Sequence, residues 1–169
     1  MKIPATLISN DRASVTTFAR SLKTAIFKPV HGGAHTQFVT EEHLEPQRLK
    51  KVLSIAPVTI QEYIPGTNIR TYVIGDAVYS AEIRSPAGDF REDLPAEIIS
   101  LDITTNVEKE ALTNTQAFMM EWTAIDWRLN PKGEYVFLEA NPSPMFIHFE
   151  RQTGFPITDK LVKMLMMKN

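Results

Sequence analysis

Apolar positions recur along this chain with two periods, one typical of helices and one typical of strands. A helical spacing of three or four residues predicts helices at residues 11–22, 41–53 and 108–122, and a last one that opens at Pro156. Alternation with a period of two, or a short apolar run, predicts strands at residues 25–30, 58–63, 69–74, 77–83, 124–129 and 135–140. Residues 96–106 receive no assignment, and residues 145–150 are interpreted as a loop or a short helix.

The last two predicted strands carry the most informative acids. Residues 130–133, Asn-Pro-Lys-Gly, are turn formers, so the two runs are predicted to pair as a β-hairpin. Glu139 and Asn141 are two apart and share a face, and pairing across the turn can place Asp126 opposite them. Hard oxygen ligands of this kind suit Mg²⁺ when the ion also binds phosphates. The alternative interpretation is that these residues are surface acids of a half-exposed hairpin, with no metal bound.

Three basic residues lie on, or directly after, other predicted strands. Lys28 precedes Gly32 and Gly33, where a lysine and glycine amides can bind the phosphates of a nucleotide. An exposed lysine on an edge strand, followed by a plain turn, is the alternative. Arg70 and Arg84 present planar forks suited to phosphate or carboxylate, and cross-strand pairing with neighbouring acids is the alternative for both.

Two loops are further candidates for binding. The strand at residues 58–63 runs into Ile64-Pro65-Gly66, which predicts a hinge whose backbone groups can bind the edge of an adenine. Residues 85–95 are polar and rich in turn formers, so they are a candidate lid or substrate contact through Asp89 and Arg91. His31 and His35 flank the double glycine and are interpreted as loop residues, since no third zinc ligand lies near them.

Composition narrows the class of protein. A chain of 169 residues with 43% apolar residues can form one domain, or two lobes that share a cleft. Its net charge of −2 shows no excess that would indicate binding to nucleic acid or to an anionic membrane. The absence of cysteine excludes disulfides and thiolate chemistry and fits a cytoplasmic protein. No apolar run approaches the roughly 20 residues that span a bilayer.

Several segments, taken in order, resemble an ATP-grasp ligase. They are KP at 28–29 before GG at 32–33, QEYI at 61–64, IR at 69–70, AEIRS at 81–85, AID at 124–126 and FLEANP at 137–142. Within that family the chain is most similar to the ribosomal-peptide maturases that make microviridin-type graspetides. The details that suggest this are PATLI at 4–8 with ND at 10–11, DFR at 89–91 after EIRS, and ERQTGFPI at 150–157.

The resemblance implies an α+β fold with mainly antiparallel sheets and flanking helices. Its lobes would be residues 1–62 and 63–169, with a nucleotide cleft between them. It also implies ATP and Mg²⁺ as cofactors, and it assigns the following residues to functions. The phosphates would be contacted by Lys28, and the adenine would be received by Gln61, Glu62, Tyr63 and Ile64. Mg²⁺ would be bound by Asp126, Glu139 and Asn141. The transferred phosphoryl group or the acyl phosphate would be faced by Arg70 and Arg84. Asp89 and Arg91 fall where the peptide maturases keep a substrate-side loop.

The implied activity is ligation of a carboxylate to an amine or hydroxyl, through an acyl phosphate made from ATP. The carboxylate would belong to an acidic side chain of a peptide or protein, such as a precursor peptide. The match begins after the N-terminal pre-ATP-grasp domain that family members usually carry, and Asn68 replaces an acid that often precedes the Ile-Arg pair. The alternatives are a truncated, non-catalytic module that binds nucleotide or a partner chain, and a small-molecule ligase similar to glutathione synthetase. The oligomeric state stays open, with a homodimer among the alternatives.

Overall fold

The computed structural model describes residues 1–29, 36–84 and 96–167, which form two compact units. The smaller unit is Pro4–Ile64, and the larger unit combines Met1–Ile3 with Pro65–Asn169. Within the described residues each unit contains an antiparallel sheet with helices packed against it. This arrangement confirms the predicted α+β class. The glycine loop with its two histidines and the loop of Asp89 and Arg91 lie outside the described residues.

The smaller unit has a sheet with the strand order β1-β4-β2-β3. Its elements are β1 (Thr6–Ser9), α1 (Arg12–Ser21), β2 (Ala25–Pro29), β3 (Gln37–Phe38), α2 (Pro46–Leu53) and β4 (Val58–Glu62). Both helices bury apolar side chains against one face of this sheet, in a cluster that includes Val15, Ala19, Leu49, Leu53, Val58 and Ile60. Lys28 and Gln61 alternate with these core positions along their strands, and they therefore lie on the opposite face.

The larger unit has a sheet with the strand order β7-β6-β5-β8-β9. Its elements are β5 (Thr67–Ile74), β6 (Ala77–Arg84), β7 (Glu97–Ser100), α3 (Thr105–Ala117), β8 (Trp122–Leu129), β9 (Tyr135–Asn141), α4 (Ile147–Thr153) and α5 (Ile157–Met166). Strands β5 and β8 occupy the centre, where each pairs with a neighbour on both sides. They are the most buried strands of the unit, which explains their apolar sequences.

The two faces of the larger sheet are covered differently. One face packs against α3 through a cluster that includes Ile69, Ile125, Trp127 and Ala111. On the other face α4 and α5 bury only part of the surface, through a cluster of Tyr72, Ile74, Ala81, Ala124, Phe149 and Ile157. Arg70 and Asp126 alternate onto this second face but do not belong to the apolar cluster. The second face is therefore divided into an apolar part and a polar part.

Two predicted helices have different bounds in the structure. The helix predicted at 41–53 begins only at Pro46, because Glu45 caps it by accepting hydrogen bonds from the backbone N–H groups of Gln47 and Arg48. The helix predicted at 108–122 ends at Ala117. None of the helices in the described residues is long and apolar enough to cross a bilayer.

The end of α3 is set by a change of backbone conformation. Met119 has a φ of 55°, in the left-handed region, so the chain leaves the helix there. The helical pattern places Trp122 on the buried stripe of this helix, but Trp122 begins strand β8 instead. The segments without a firm assignment also acquire structure, since β7 forms within residues 96–106 and α4 begins within residues 145–150.

Gly66 is required where the chain enters β5. Its φ is +135°, and a Cβ built on it would lie 2.0 Å from the backbone carbonyl oxygen of Leu129. Neither the conformation nor the space admits a side chain, because the contact is with backbone that cannot rotate away. Gly133 in the turn of the β8–β9 hairpin also has a positive φ of +77°, but a Cβ added there would meet no atom within 4 Å.

We expect Gly66→Ala to lower the free energy of unfolding by about 3 kcal/mol or more, since it combines backbone strain with a steric clash. Gly133→Ala should cost only about 1 kcal/mol, because it introduces strain alone. Urea denaturation of the two variants, followed by circular dichroism, measures the difference. Equal losses would show that the close approach to Leu129 does not constrain the chain.

Candidate active site

The β8–β9 hairpin brings the predicted metal ligands together. Asp126 pairs directly with Glu139 in the strand register, and Asn141 pairs with Ala124, two positions before Asp126 on β8. Asp126, Glu139 and Asn141 therefore lie on one face of the sheet. Asp126 is 9% exposed, whereas Glu139 and Asn141 are exposed at the edge strand.

A β-bulge interrupts the hairpin directly beside the site. The register shifts between Asp126 and Trp127, because Trp127 pairs with Phe137 while Asp126 pairs with Glu139. Leu138 is thus an extra residue on β9 that has no partner on β8. The bulge changes which face the following β9 residues occupy, and it places Glu139 on the face of Asp126.

A buried ion pair fixes Asp126. Arg70 is its register partner on β5 and donates from Nε to Oδ1 and from Nη2 to Oδ2, each over 2.7 Å. The two side chains are only 17% and 12% exposed. Burial alone would lower the pKa of Arg70, but the hydrogen bonds and charge of Asp126 outweigh it and raise this pKa. The guanidinium is therefore permanently charged and held in one orientation.

A second arginine on the same face was not singled out from the sequence. Arg128 follows Asp126 by two residues on β8, is 9% exposed, and donates from Nη1 to Oδ1 of Asn68 over 2.6 Å. Asn68 is also its register partner on β5. The detectable signal was the Asp-x-Arg spacing, which places both charged groups on one face of a strand. The face thus carries two arginines beside two carboxylates.

Local hydrogen bonds hold the amide of Asn141. Its Oδ1 accepts from the backbone N–H of Ser143 over 2.9 Å, and its backbone carbonyl accepts from Oγ1 of buried Thr123 over 2.7 Å. An amide oxygen has two lone pairs, so the bond from Ser143 orients the group without exhausting its acceptor capacity.

The donor set of this face fits Mg²⁺. Asp126, Glu139 and Asn141 offer oxygen atoms alone, and Mg²⁺ is usually bound by one or two carboxylates together with phosphates and water. The described residues contain no group of three or more histidine, cysteine, aspartate or glutamate side chains arranged for a metal. The candidate site therefore depends on two carboxylates with an amide, and not on a complete cage of protein ligands.

Arg84 is not brought together with Arg70. Ala81 is the register partner of Arg70, so Arg84, three residues later, alternates onto the other face of the sheet. Arg84 is 56% exposed and donates to both carboxylate oxygens of Glu82, over 2.9 and 3.0 Å. These hydrogen bonds raise the pKa of Arg84. Glu82 lies on the same strand as Arg84, so this ion pair differs from the cross-strand pairing considered as the alternative; the cross-strand acid is Glu97 on β7, at 4.0 Å from Nη1. The catalytic role of Arg84 stays a prediction.

Lys28 and Gln61 share the face of the smaller sheet that is opposite to α1 and α2. Lys28 is half-buried on β2, and Gln61 is only 7% exposed on β4, where its Nε2 donates to Oγ1 of Thr6 over 2.9 Å. The Oε1 atom of Gln61 is buried and has no hydrogen-bond partner among the described residues. A buried acceptor of this kind is unfavourable unless a donor reaches it.

The other residues of the predicted adenine hinge follow Gln61 at the end of β4. Glu62 lies on the opposite face and accepts from the backbone N–H of Ala5 over 3.2 Å. The backbone N–H of Tyr63 donates to the carbonyl of Thr24, and its ring packs edge-on against Phe38 with centroids 4.9 Å apart. Ile64 is the last residue of the smaller unit. Their roles in binding adenine remain predictions.

Comparison with known proteins identifies the family. The model of the RimK-like ATP-grasp domain matches residues 1–165, so this chain belongs to that family. Ribosomal protein bS6–L-glutamate ligase of Escherichia fergusonii is 33% identical over 114 residues, which cover 64% of this chain and 38% of that protein.

Solved structures extend the similarity to nearly the whole chain. The ATP-grasp ligase PsnB, complexed with a phosphomimetic variant of its minimal precursor, Mg and ADP, is 31% identical with a TM-score of 0.85, covering 97% of this chain and 54% of PsnB. A RiPP-associated ATP-grasp ligase of Chryseobacterium gregarium, in complex with ADP and a leader and core peptide, is 26% identical with a TM-score of 0.89, covering 99% and 56%. The chain thus spans little more than half the length of these ligases, and the expected ATP-grasp fold is confirmed.

The buried ion pair yields a double-mutant prediction. Arg70→Met and Asp126→Leu should each lower the free energy of unfolding by about 3 kcal/mol, because each removes the opposite charge that compensates a buried charge. The double variant should lose much less than the sum, since no charge remains. Urea denaturation of the four proteins measures this coupling.

The pair of Arg84 and Glu82 provides the matched control. It is equally bidentate, but Arg84 is largely exposed, so Arg84→Met, Glu82→Leu and their double variant should show a coupling of at most about 1 kcal/mol. Equal couplings in the two pairs would contradict the view that burial makes the Arg70–Asp126 pair important.

Proposed function

We propose that this chain is the ATP-grasp portion of an ATP-dependent ligase that activates an acidic side chain of a peptide or protein. The observation that carries the proposal is the convergence of Asp126, Glu139 and Asn141 on one sheet face beside the immobilised Arg70. Membership of the RimK-like ATP-grasp family supports it, since relatives in this family are named ligases.

The proposed chemistry overcomes the low reactivity of a carboxylate. Its negative charge is delocalised and its leaving group would be oxide, so direct attack by an amine or hydroxyl is slow. Transfer of the γ-phosphoryl group of ATP to the carboxylate gives an acyl phosphate with a good leaving group, and attack on the acyl carbon then releases phosphate. The protein contributes positioning and charge stabilisation.

Asp126, Glu139 and Asn141 would hold Mg²⁺ in this proposal. The bound ion supplies neutralisation of charge on the ATP phosphates. Arg70, held rigidly by Asp126, presents a permanent positive charge next to the ligands, where the transferred phosphoryl group would be stabilised. Lys28 on β2 would contact the phosphates of the nucleotide.

The hinge residues Gln61, Glu62, Tyr63 and Ile64 would receive the adenine. The buried Oε1 of Gln61 supports this assignment, because it is an acceptor that needs a donor, and the exocyclic amino group of adenine is a donor of the required kind.

An acidic side chain of a precursor peptide is the proposed substrate, with a Ser, Thr or Lys side chain of the same peptide as the attacking group. The support comes from PsnB, whose structure includes a minimal precursor, and from the ligase of Chryseobacterium gregarium, whose structure includes a leader and core peptide. Arg128 adds positive charge to the same face and suits an acidic group. Asp89 and Arg91 are proposed as substrate-side residues.

Addition of glutamate to a protein is a second candidate function. The similarity to ribosomal protein bS6–L-glutamate ligase favours it. Both candidates use the same activation of a carboxylate by ATP, and they differ in whether the attacking amine or hydroxyl belongs to the same peptide or to free glutamate. A fold shared by both cannot decide between them.

The ligand set predicts the effect of removing one carboxylate. Glu139→Ala should abolish Mg²⁺-dependent binding of ATP, measured by titration calorimetry at millimolar ATP with and without Mg²⁺. Asp76→Asn, which removes one negative charge from the exposed β5–β6 turn, should bind like the unaltered chain. Unchanged binding by Glu139→Ala would show that the hairpin has no part in the mechanism. If the unaltered chain did not bind ATP, the non-catalytic module would be the one remaining interpretation of the chain.

Mass spectrometry of the product separates the two substrate classes. Incubation with ATP, Mg²⁺ and a peptide containing Thr, Lys, Asp and Glu should yield a peptide lighter by the mass of water, since a side chain of the peptide itself attacks. Glutamate ligation instead adds the mass of a glutamyl residue when free glutamate is supplied. Formation of ADP with neither product would contradict both assignments of substrate.

A further inference from the structure

Tyr72 lies at the junction between the polar and apolar parts of the sheet face. It follows Arg70 by two residues on β5, is fully buried, and packs against the ring of Phe149 with centroids 4.7 Å apart. In the register it lies in one cross-strand row with Ala124 and Asn141, next to the row of Arg70 and Asp126. Because Ala124 is small, little side-chain volume separates Tyr72 from the segment that follows Asn141.

The ring of Tyr72 packs in the apolar cluster, whereas its hydroxyl has two polar neighbours. The hydroxyl donates to the backbone carbonyl of Met145 over 2.6 Å. The guanidinium of Arg70, two residues earlier on the same face, is its second polar neighbour, and the interaction between the two groups opposes part of the effect of burial on the pKa of Tyr72. Burial raises the pKa of Tyr72, so the phenol keeps its proton and remains a donor at neutral pH.

The backbone between Asn141 and Met145 is thereby fixed at both ends. Thr123 donates to the carbonyl of Asn141, Ser143 donates to the side-chain oxygen of Asn141, and Tyr72 donates to the carbonyl of Met145. The first two contacts act on the candidate metal ligand directly. The third contact is the one that links the segment to Arg70.

We infer that Tyr72 is a positioning residue that couples the orientation of Arg70 to that of Asn141 through the 141–145 segment. The inference rests on the proposed function for its catalytic consequence, whereas the mechanical coupling exists in the chain without any ligand. Tyr72 would not itself touch the reacting atoms or the metal; it acts through Arg70 and through the backbone of Met145.

Tyr79 offers a matched control on the neighbouring strand. It is the register partner of Tyr72 on β6, and its ring packs against Phe155 with centroids 5.1 Å apart. Its hydroxyl has no hydrogen-bond partner among the described residues. Tyr72→Phe and Tyr79→Phe therefore remove the same atom from two paired tyrosines, of which one is tethered and the other is not.

Hydrogen exchange of the ligand-free chain tests the coupling. In Tyr72→Phe the backbone amide of Ser143 should exchange about fivefold faster, the factor expected for the loss of one buried hydrogen bond. Tyr79→Phe should leave this rate unchanged. The amide of Val73, a fully buried residue of β5, should stay protected in both variants, which would show that the sheet is intact. An unchanged rate for Ser143 in Tyr72→Phe would overturn the inference, whether or not the chain binds ATP.

A Mg²⁺ titration then tests the consequence for the site. At fixed ATP, Tyr72→Phe should need about fivefold more Mg²⁺ for half-maximal nucleotide binding, while Tyr79→Phe should match the unaltered chain. Faster exchange with unchanged Mg²⁺ dependence would overturn the coupling to the metal site and leave the proposed function intact. Failure of the unaltered chain to bind ATP with Mg²⁺ would instead overturn the proposed function. The exchange rates would still show whether Tyr72 restrains the 141–145 segment.

Discussion

The bidentate ion pair between Arg70 and Asp126 is the interaction on which the candidate site depends. It joins the two central strands of the larger sheet, on a face where both side chains are almost buried. An isolated charge at either position would be strongly unfavourable, so each residue is tolerated only because the other is present. With the charge of Asp126 compensated, a second carboxylate can stand directly opposite on the edge strand without an excess of negative charge at the sheet centre.

This pair also explains how one sheet face can serve both packing and chemistry. Along β5 the positions on this face change from Asn68 and Arg70 to Tyr72 and Ile74. Helices α4 and α5 cover the apolar end and stop short of the charged end. The rigid, buried part of the face therefore supports the polar part, which is the arrangement required for ligands that must keep their orientation when a charged substrate binds.

Features that depend on residues close together in the sequence were predicted. The prediction of the β8–β9 hairpin was correct because its turn residues and the alternation around Asp126 are local signals. The predicted end of α3 was wrong because Trp122 fits both a helical stripe and the start of a strand. Its pairing with β5 decides in favour of the strand. Arg128 was overlooked, since its importance appears only when β5 supplies Asn68 as a partner.

Strand pairing explains why Arg70 and Arg84 have different surroundings. Both are arginines on adjacent strands of one hairpin, and nothing in their local sequence distinguishes them. The register between β5 and β6 assigns them to opposite faces, and the choice of β8 as second neighbour supplies Asp126 to Arg70 alone. The first choice follows from a two-residue turn, whereas the second joins strands far apart in the chain, which composition and periodicity do not encode.

The unpaired Leu138 has a consequence for how this chain can change over time. Because side chains alternate, loss of that codon would leave Glu139 directly after Phe137, still opposite Asp126 and on the same face, and the bulge would disappear. If Leu138 were kept but the pairing became regular, Leu138 would lie opposite Asp126, and Glu139 and Asn141 would turn towards α3. Two lengths of β9, a bulged one and a regular one shorter by a residue, are therefore both compatible with an acid–amide couple on this face.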